Sequence, residues 1–382
     1  MFRYYRSRFL WLLLLLTFSS ISEAVTNFSA SPGSQSVSFH WIPDPVYIRT
    51  EIKDVASGTG CNTTSSSCIV RNLRMATRYS FTARSYREIV VGGVRQKEYG
   101  GHTQTVQFTT KLGGSLTQDL SVGAGEYELI SDLTVESGVT LNLNGTTVLA
   151  SNQQRQITVK GNLNSTSVVF DGAGTNPSTA WSGIKITGGT ATFQNSVIKR
   201  AGYNSNTISV SAGGYLDFQG STIKDSGNNG IRFQGADSRL LVKTSKIENT
   251  STGIRLYATN NVTIDSNEFI KTSTPIHIDS FSTQFPSIQN TTYTNTGKTG
   301  IQISSNQDVT TSGKLHEPLY VVGKLTIQPD VKLTLAAGKS VIFGGSRYSL
   351  EVKGELDAQS VVFDGIGNNK SNTWEGIRIN GG

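Results

Sequence analysis

His277 and Asp279 flank Ile278 in the run Pro275-Ile276-His277-Ile278-Asp279. In a strand, residues i and i+2 share a face. The two polar side chains therefore point outward while Ile276 and Ile278 point in. An imidazole beside a carboxylate can work as a general acid or base near neutral pH. Asp265, on a neighbouring strand, completes this group of catalytic candidates. The competing reading is a solvated histidine on a polar face, and the sequence favours it. Asp171 and Asp364 sit in repeated Phe-Asp-Gly runs and are expected to shape turns through Asp–backbone hydrogen bonds. Trp181 and Trp374 each open a W-x-G-I-x-I-x-G-G motif. An exposed indole would be a stacking platform for sugar rings; an enclosed one would cover a turn, and the cover is favoured. Cys61 and Cys68 are the only cysteines and could close a small loop as a disulfide, contributing ~2–3 kcal/mol by the chain-entropy estimate. Two lone thiols do not make a zinc site. No metal or cofactor is implied.

The elements that must carry these residues are read from composition and spacing. The chain has 382 residues, with 34 Lys+Arg against 27 Asp+Glu, a formal charge of 34 − 27 = +7. That length exceeds one ordinary domain, and the hydropathy is too high for disorder. The basic excess suggests a nucleic-acid partner until it is divided along the chain. Residues 25–112 hold ten basic and five acidic side chains, while residues 113–382 hold 21 of each. The long segment is neutral overall, so DNA and polyuronates have no global attraction to it. Any acidic partner is expected on the shorter segment, along Arg87, Arg95 and Lys97, and no nucleic-acid partner is expected.

Residues 1–24 combine Arg3, Arg6 and Arg8 with an apolar run from Phe9 to Phe18 and small residues at Ser22 and Ala24. This is the layout of a secretory signal peptide. The apolar run is too short to cross a hydrocarbon core of ~30 Å, and no later segment is apolar enough to do so. The expected location is extracellular or on a cell surface. Eight N-x-S/T sequons follow, at Asn27, Asn62, Asn144, Asn164, Asn249, Asn261, Asn290 and Asn369. In an exported eukaryotic chain they would be glycan acceptors. A chain rich in Asn, Ser and Thr also makes such triplets by chance.

Residues 25–112 alternate apolar and polar in short runs, among them 36–42, 46–52, 68–73, 78–86 and 103–110. Such runs, divided by turn residues, read as a β-sandwich. Trp41 lies on an early strand, and Leu73, Thr77 and Tyr79 match an L-x-P-x-T-x-Y turn with Met75 in place of proline. With these features the segment resembles a fibronectin type III domain. The resemblance implies that Trp41 is buried and that Tyr79 packs beside the core. Residues 87–102 are expected to form a projecting β-arm.

From residue 113 the sequence is repetitive. A G-I-x-apolar motif places Ile184, Ile208, Ile231, Ile254, Ile276 and Ile301 at steps of 24, 23, 23, 22 and 25 residues. Phe193, Phe218, Val242 and Ile264 form a second column in phase. Two short strands repeating at this period signal a stacked solenoid, with eleven or twelve coils and a length of roughly 50 Å at ~4.8 Å per coil. Residues 113–382 resemble right-handed parallel β-helix proteins of the pectin-lyase-like type. A longer repeat, offset by 193 residues, pairs 159–189 with 352–382. The second copy stops in mid-motif, which reads as a fragment of a longer repeat.

The expected architecture is all-β: a fibronectin type III sandwich over 25–112 and a right-handed parallel β-helix over 113–382. The pectin-lyase-like superfamily includes polysaccharide lyases, hydrolases and epimerases. Yet the N-T-D, D-D, G-H-G and R-I-K motifs of polygalacturonases are missing, as are the calcium-ligand cluster of pectate lyases and the D-P-H signature of the epimerases. The sequence therefore favours adhesion or recognition of extracellular glycans or matrix components, without catalysis. A polysaccharide-active enzyme with an unfamiliar site is the alternative.

Overall fold

The structure is a computed structural model, and it describes residues 25–43, 45–100, 103–152, 154–173, 180–203, 206–345, 347–366 and 374–380. The expected signal peptide over 1–24 and the sequon at Asn369 lie outside the described residues. Chain contacts divide into two compact units.

The first unit takes most of residues up to Thr109. Strands Val25–Pro32, Ser36–Pro43 and Ser67–Arg71 form one antiparallel sheet, and Gly60–Thr63, Arg49–Asp54, Arg78–Val91, Val94–Tyr99 and Gln104–Thr109 form the other. Alternation turns Phe28 and Phe39 of the first sheet toward Phe81 and Phe108 of the second. The Phe39 ring lies 4.9 Å from Phe81 and 6.0 Å from Phe108. Trp41 is buried, and Tyr79 packs on Phe81 and Phe108. The turn Leu73–Thr77 instead clusters with the second unit, where Met75 joins the apolar core. A methionine at the position expected for proline supplies the apolar group this needs.

Cys61 and Cys68 are joined by a disulfide with Cα atoms 6.7 Å apart. Replacing both with serine is expected to lower the stability of this unit by about 2 kcal/mol, read as a fall in the urea midpoint of its unfolding transition.

The β-arm forms as a hairpin whose tip, Gly92-Gly93, has φ of 59° and 82°, the paired positive angles of a type I′ turn. Its cations have carboxylate partners nearby. Arg87 bonds Glu98 at 2.6 Å, Lys97 bonds Glu51 at 3.0 Å, and Arg95 lies 3.8 Å from Glu88. This pairing, which the residue counts alone could not reveal, offsets part of the positive charge along the three residues where an acidic partner is expected.

The second unit is a parallel β-helix of about eleven coils. The isoleucines spaced along the sequence are direct neighbours across it: Ile184, Ile208, Ile231, Ile254, Ile276 and Ile301 pair in register. Phe193, Phe218, Val242 and Ile264 do the same in a second sheet. Each regular coil has three strands rather than the two expected. The third is only three residues long, as in Val197–Lys199, Thr222–Lys224 and Lys246–Glu248, and points Ile198, Ile223 and Ile247 inward. One inward side chain per strand is too weak a period to read from sequence.

Buried polar side chains hold the turns between these sheets. The Ser196 N–H donates to Ser221 Oγ at 3.0 Å, Ser221 N–H to Ser245 Oγ at 3.2 Å, and Ser245 N–H to Asn267 Oδ1 at 2.9 Å. Each rung thereby satisfies a backbone donor that the sheets cannot reach. The 193-residue repeat is structural as well. Ile157 pairs with Ile184, and Leu350 pairs with Ile377 in the same register.

Candidate functional site

The x position of the G-I-x-apolar motif forms an outward row on the sheet of the isoleucine column. Its consecutive members Arg232, Arg255, His277 and Gln302 are Cα partners, followed by Tyr320. Two residues further along each strand a second outward row runs Gln234, Tyr257, Asp279 and Ser304, with backbone bonds continuing the ladder. Strands Asn229–Phe233, Thr252–Leu256, Thr274–Ile278 and Ile301–Ile303 thus present polar side chains about 4.8 Å apart along one strip.

The centre of the strip is one hydrogen-bonded network. Arg255 grips Asp279 with two bonds, Nε to Oδ2 at 2.7 Å and a terminal guanidinium nitrogen to Oδ1 at 3.0 Å. Ser304 Oγ lies 3.0 Å from Asp279 Oδ1 and 2.8 Å from His277 Nε2. Gln302 Nε2 lies 3.3 Å from the same imidazole nitrogen, and Lys298 donates to Gln302 Oε1. Tyr257 is held between two cations, with the Arg232 guanidinium 4.7 Å and the Arg255 guanidinium 5.0 Å from its ring centre. The Lys298 ammonium lies 4.9 Å from the Tyr320 ring centre. Such contacts stabilise a cation, more so where water is excluded.

His277 and Asp279 are brought together as the spacing required, 3.8 Å apart. The histidine is not the solvated residue favoured from sequence, since its side chain is only 13% exposed. Neighbouring coils rise on both sides of it, which a single strand pattern does not show. Burial pushes its pKa below the ordinary value; Asp279 opposes this, while Arg255 and Lys298 reinforce it. Below that lowered value it gains a proton; at neutral pH it is uncharged. Burial pushes the Asp279 carboxyl up, but Arg255, His277 and Ser304 together outweigh that and hold it below the usual range. Asp279 is therefore a fixed anion. Asp265 does not join them. It ends strand Val262–Asp265 of a different sheet and accepts bonds from Asn290 and Ser266.

The other sequence candidates resolve as structural groups. Asp171 accepts the Gly172 N–H at 2.8 Å, the turn role expected of it. It also pairs with Arg200 at 2.6 and 2.7 Å and with Lys199 at 3.0 Å. Trp181 is 1% exposed and donates its indole N–H to the Lys199 carbonyl. It offers no face to a sugar, because the coil on which it bridges covers it. Trp374 lies flat on Phe343, with ring centres 4.3 Å apart. The seven described sequon asparagines are all exposed. Among the described residues, no group of three His, Cys, Asp or Glu side chains could hold a metal ion, and no helix is long and apolar enough to cross a membrane.

Arg232, Arg255, Tyr257, Lys298, Gln302 and Ser304 were not singled out from sequence. The signal was present for Arg232, Arg255 and Gln302, which occupy the same motif position as His277. Lys298 and Tyr257 reach the strip from the ends of their strands, outside the motif.

The family model for the right-handed β-helix region matches residues 181–315. Three solved structures are similar at low identity. The family 28 exopolygalacturonase of Yersinia enterocolitica is 11% identical, covering 94% of this chain and 99% of its own, with a TM-score of 0.24. Pectate lyase PelI of Erwinia chrysanthemi is 9% identical, covering 93% and 99%, with a TM-score of 0.16. FN3tt is 21% identical over 22% of this chain and 90% of its own, with a TM-score of 0.17. No curated protein matches the chain. The second unit is a right-handed parallel β-helix on the family match and on its own strand pairings.

Proposed function

We propose that this chain is a secreted glycan-recognition protein, and that the strip from Arg232 to Tyr320 binds an acidic polysaccharide without turning it over. The observation that carries this reading is an uncompensated pair of cations. Arg232 Nε is enclosed and has no hydrogen-bond partner among the described residues. Lys298 is half-enclosed, and burial pushes its pKa down. The strip holds Arg232, Arg255 and Lys298 against Asp279 alone, 3 − 1 = +2, although residues 113–382 are neutral overall. Neither Arg232 nor Lys298 has a carboxylate partner among the described residues, and a carboxylate or sulfate ester on a ligand would supply one at their accessible nitrogens. Tyr257, 36% exposed, supplies an aromatic face between them. Secretion is supported by the leader-like sequence over 1–24 and by the disulfide, which is characteristic of oxidising compartments.

Hydrolysis through two opposed carboxylates is a poor fit, since Asp279 is the strip's one described carboxylate and is tied to Arg255. A second reading is favoured by one observation: a neutral, largely enclosed imidazole among cations suits proton transfer beside an acidic sugar. Both readings are tested on one panel of polyuronates, sulfated glycans and neutral glycans. Binding of acidic members without any ultraviolet-absorbing unsaturated product is expected. Product formation that disappears in His277→Ala would replace recognition with catalysis.

A further inference from the structure

The His277 imidazole has two neutral tautomers, and its surroundings accommodate them differently. With the proton on Nε2, the ring would donate to Ser304 Oγ, and Ser304 would pass its own proton toward Asp279 Oδ1. All three atoms lie at bonding distance, 2.8 and 3.0 Å. Considered alone, this chain would select the Nε2–H form.

Gln302 opposes it. Lys298 can only donate, so the amide oxygen of Gln302 must face the ammonium, and Thr274 Oγ1 approaches that same oxygen at 3.5 Å. The Gln302 amide nitrogen is thereby turned to His277 Nε2 at 3.3 Å. An N–H facing an N–H is repulsive, whereas a lone pair on Nε2 accepts from Gln302 and also from Ser304 once that hydroxyl turns its single proton away from Asp279 Oδ1, which keeps its bond from Arg255. No described residue bonds Nδ1, and that atom is not enclosed.

We infer that Gln302, oriented by Lys298, is a positioning residue that fixes His277 in the Nδ1–H tautomer, so that the strip offers a ligand an N–H donor rather than a lone pair. The functional meaning rests on the strip being the glycan site; the tautomer itself does not. An outward N–H recognises an acceptor oxygen, such as a carboxylate, a sulfate ester or a ring ether. The nitrogen lone pair that could accept a substrate proton is occupied on the inner side. His277 then reads the ligand and does not deprotonate it. The charged groups facing the ring are Asp279, Arg255 and Lys298.

The test is the nitrogen-15 spectrum of the full chain at a pH where His277 is neutral, with its signals identified by their loss in His277→Gln. The expected wild-type pattern has a protonated Nδ1 and an unprotonated Nε2. In Gln302→Leu the repulsive N–H is gone, and the Nε2–H form bonded through Ser304 to Asp279 should take over. In Gln302→Glu the new carboxylate should also select Nε2–H and raise the His277 midpoint by about 1 pH unit. A wild-type Nε2–H pattern, or an even mixture, overturns the inference whether or not either variant folds. So does a folded Gln302→Leu that keeps Nδ1–H. Glycan binding is measured separately, so the tautomer can stand while the recognition reading falls, and the reverse.

Discussion

Phe218→Ala is expected to lower the stability of the β-helix by about 3–5 kcal/mol, the range for deleting a fully buried aromatic side chain. Phe218 is 0% exposed, and its ring packs 5.7 Å from that of Phe193 on the preceding coil. Its Cα partners are Phe193 and Val242. A solenoid coil is stabilised only through its two neighbours, and this side chain serves both interfaces. Strands fixed by backbone ladders above and below cannot collapse to fill the space, so the cavity should persist. Equilibrium urea unfolding gives the total effect, and amide exchange locates it. Protection should fall first over the coils around 193–242. A change below about 1 kcal/mol, or exchange spread evenly along the helix, would mean that the coils are not coupled as described.

The second large effect is expected at Asp171. Its side chain is 7% exposed and meets Arg200, Lys199 and the Gly172 N–H. Asp171→Ala deprives both cations of their shared carboxylate, a loss of about 3 kcal/mol for breaking a buried pair. Asp364 occupies the equivalent turn of the repeated block, accepts the Gly365 N–H at 2.8 Å and is exposed. No ion pair is described for it, so Asp364→Ala should cost less than about 1 kcal/mol. Burial pushes the Asp171 carboxyl up, but Arg200, Lys199 and Gly172 together hold it below the ordinary aspartate value. A depressed carboxyl contributes its stability above the unfolded value near 3.9 and loses it as pH falls through the folded one. The wild-type advantage over Asp171→Asn should therefore be flat across neutral pH and shrink only in strong acid. An advantage that faded between pH 8 and 6 would point to another group.

The fold was legible where a period repeated many times. Six isoleucines at a near-constant step stack as neighbours because each fills the same place in successive coils. The short third strands escaped notice because one inward residue per coil leaves no alternation to detect. The site was half legible. His277 and Asp279 could be paired on strand geometry, since i and i+2 share a face. Enclosure could not be predicted, because Arg255 and Ser304 reach them from coils about 25 residues away on either side. Charge was partly legible for a related reason. Counting placed the basic excess on residues 25–112 and pointed to the β-arm, where the antiparallel register opposes Arg87 to Glu98 and Glu88 to Lys97. The uncompensated cations lie instead within the neutral segment, where the counts balance but the positions do not.

Titration of an acidic polysaccharide against the full chain and against Arg232→Ala, at low and physiological salt, tests the glycan strip most directly. Arg232 packs on Tyr257 at the surface of a coil whose core side chains it does not replace, so the variant should fold. The expected result is saturable wild-type binding that weakens with salt, with affinity at least tenfold lower in Arg232→Ala and neutral glycans inert. Equal affinity of the folded variant and the wild type would contradict it, and would remove the strip from any account of what this protein binds.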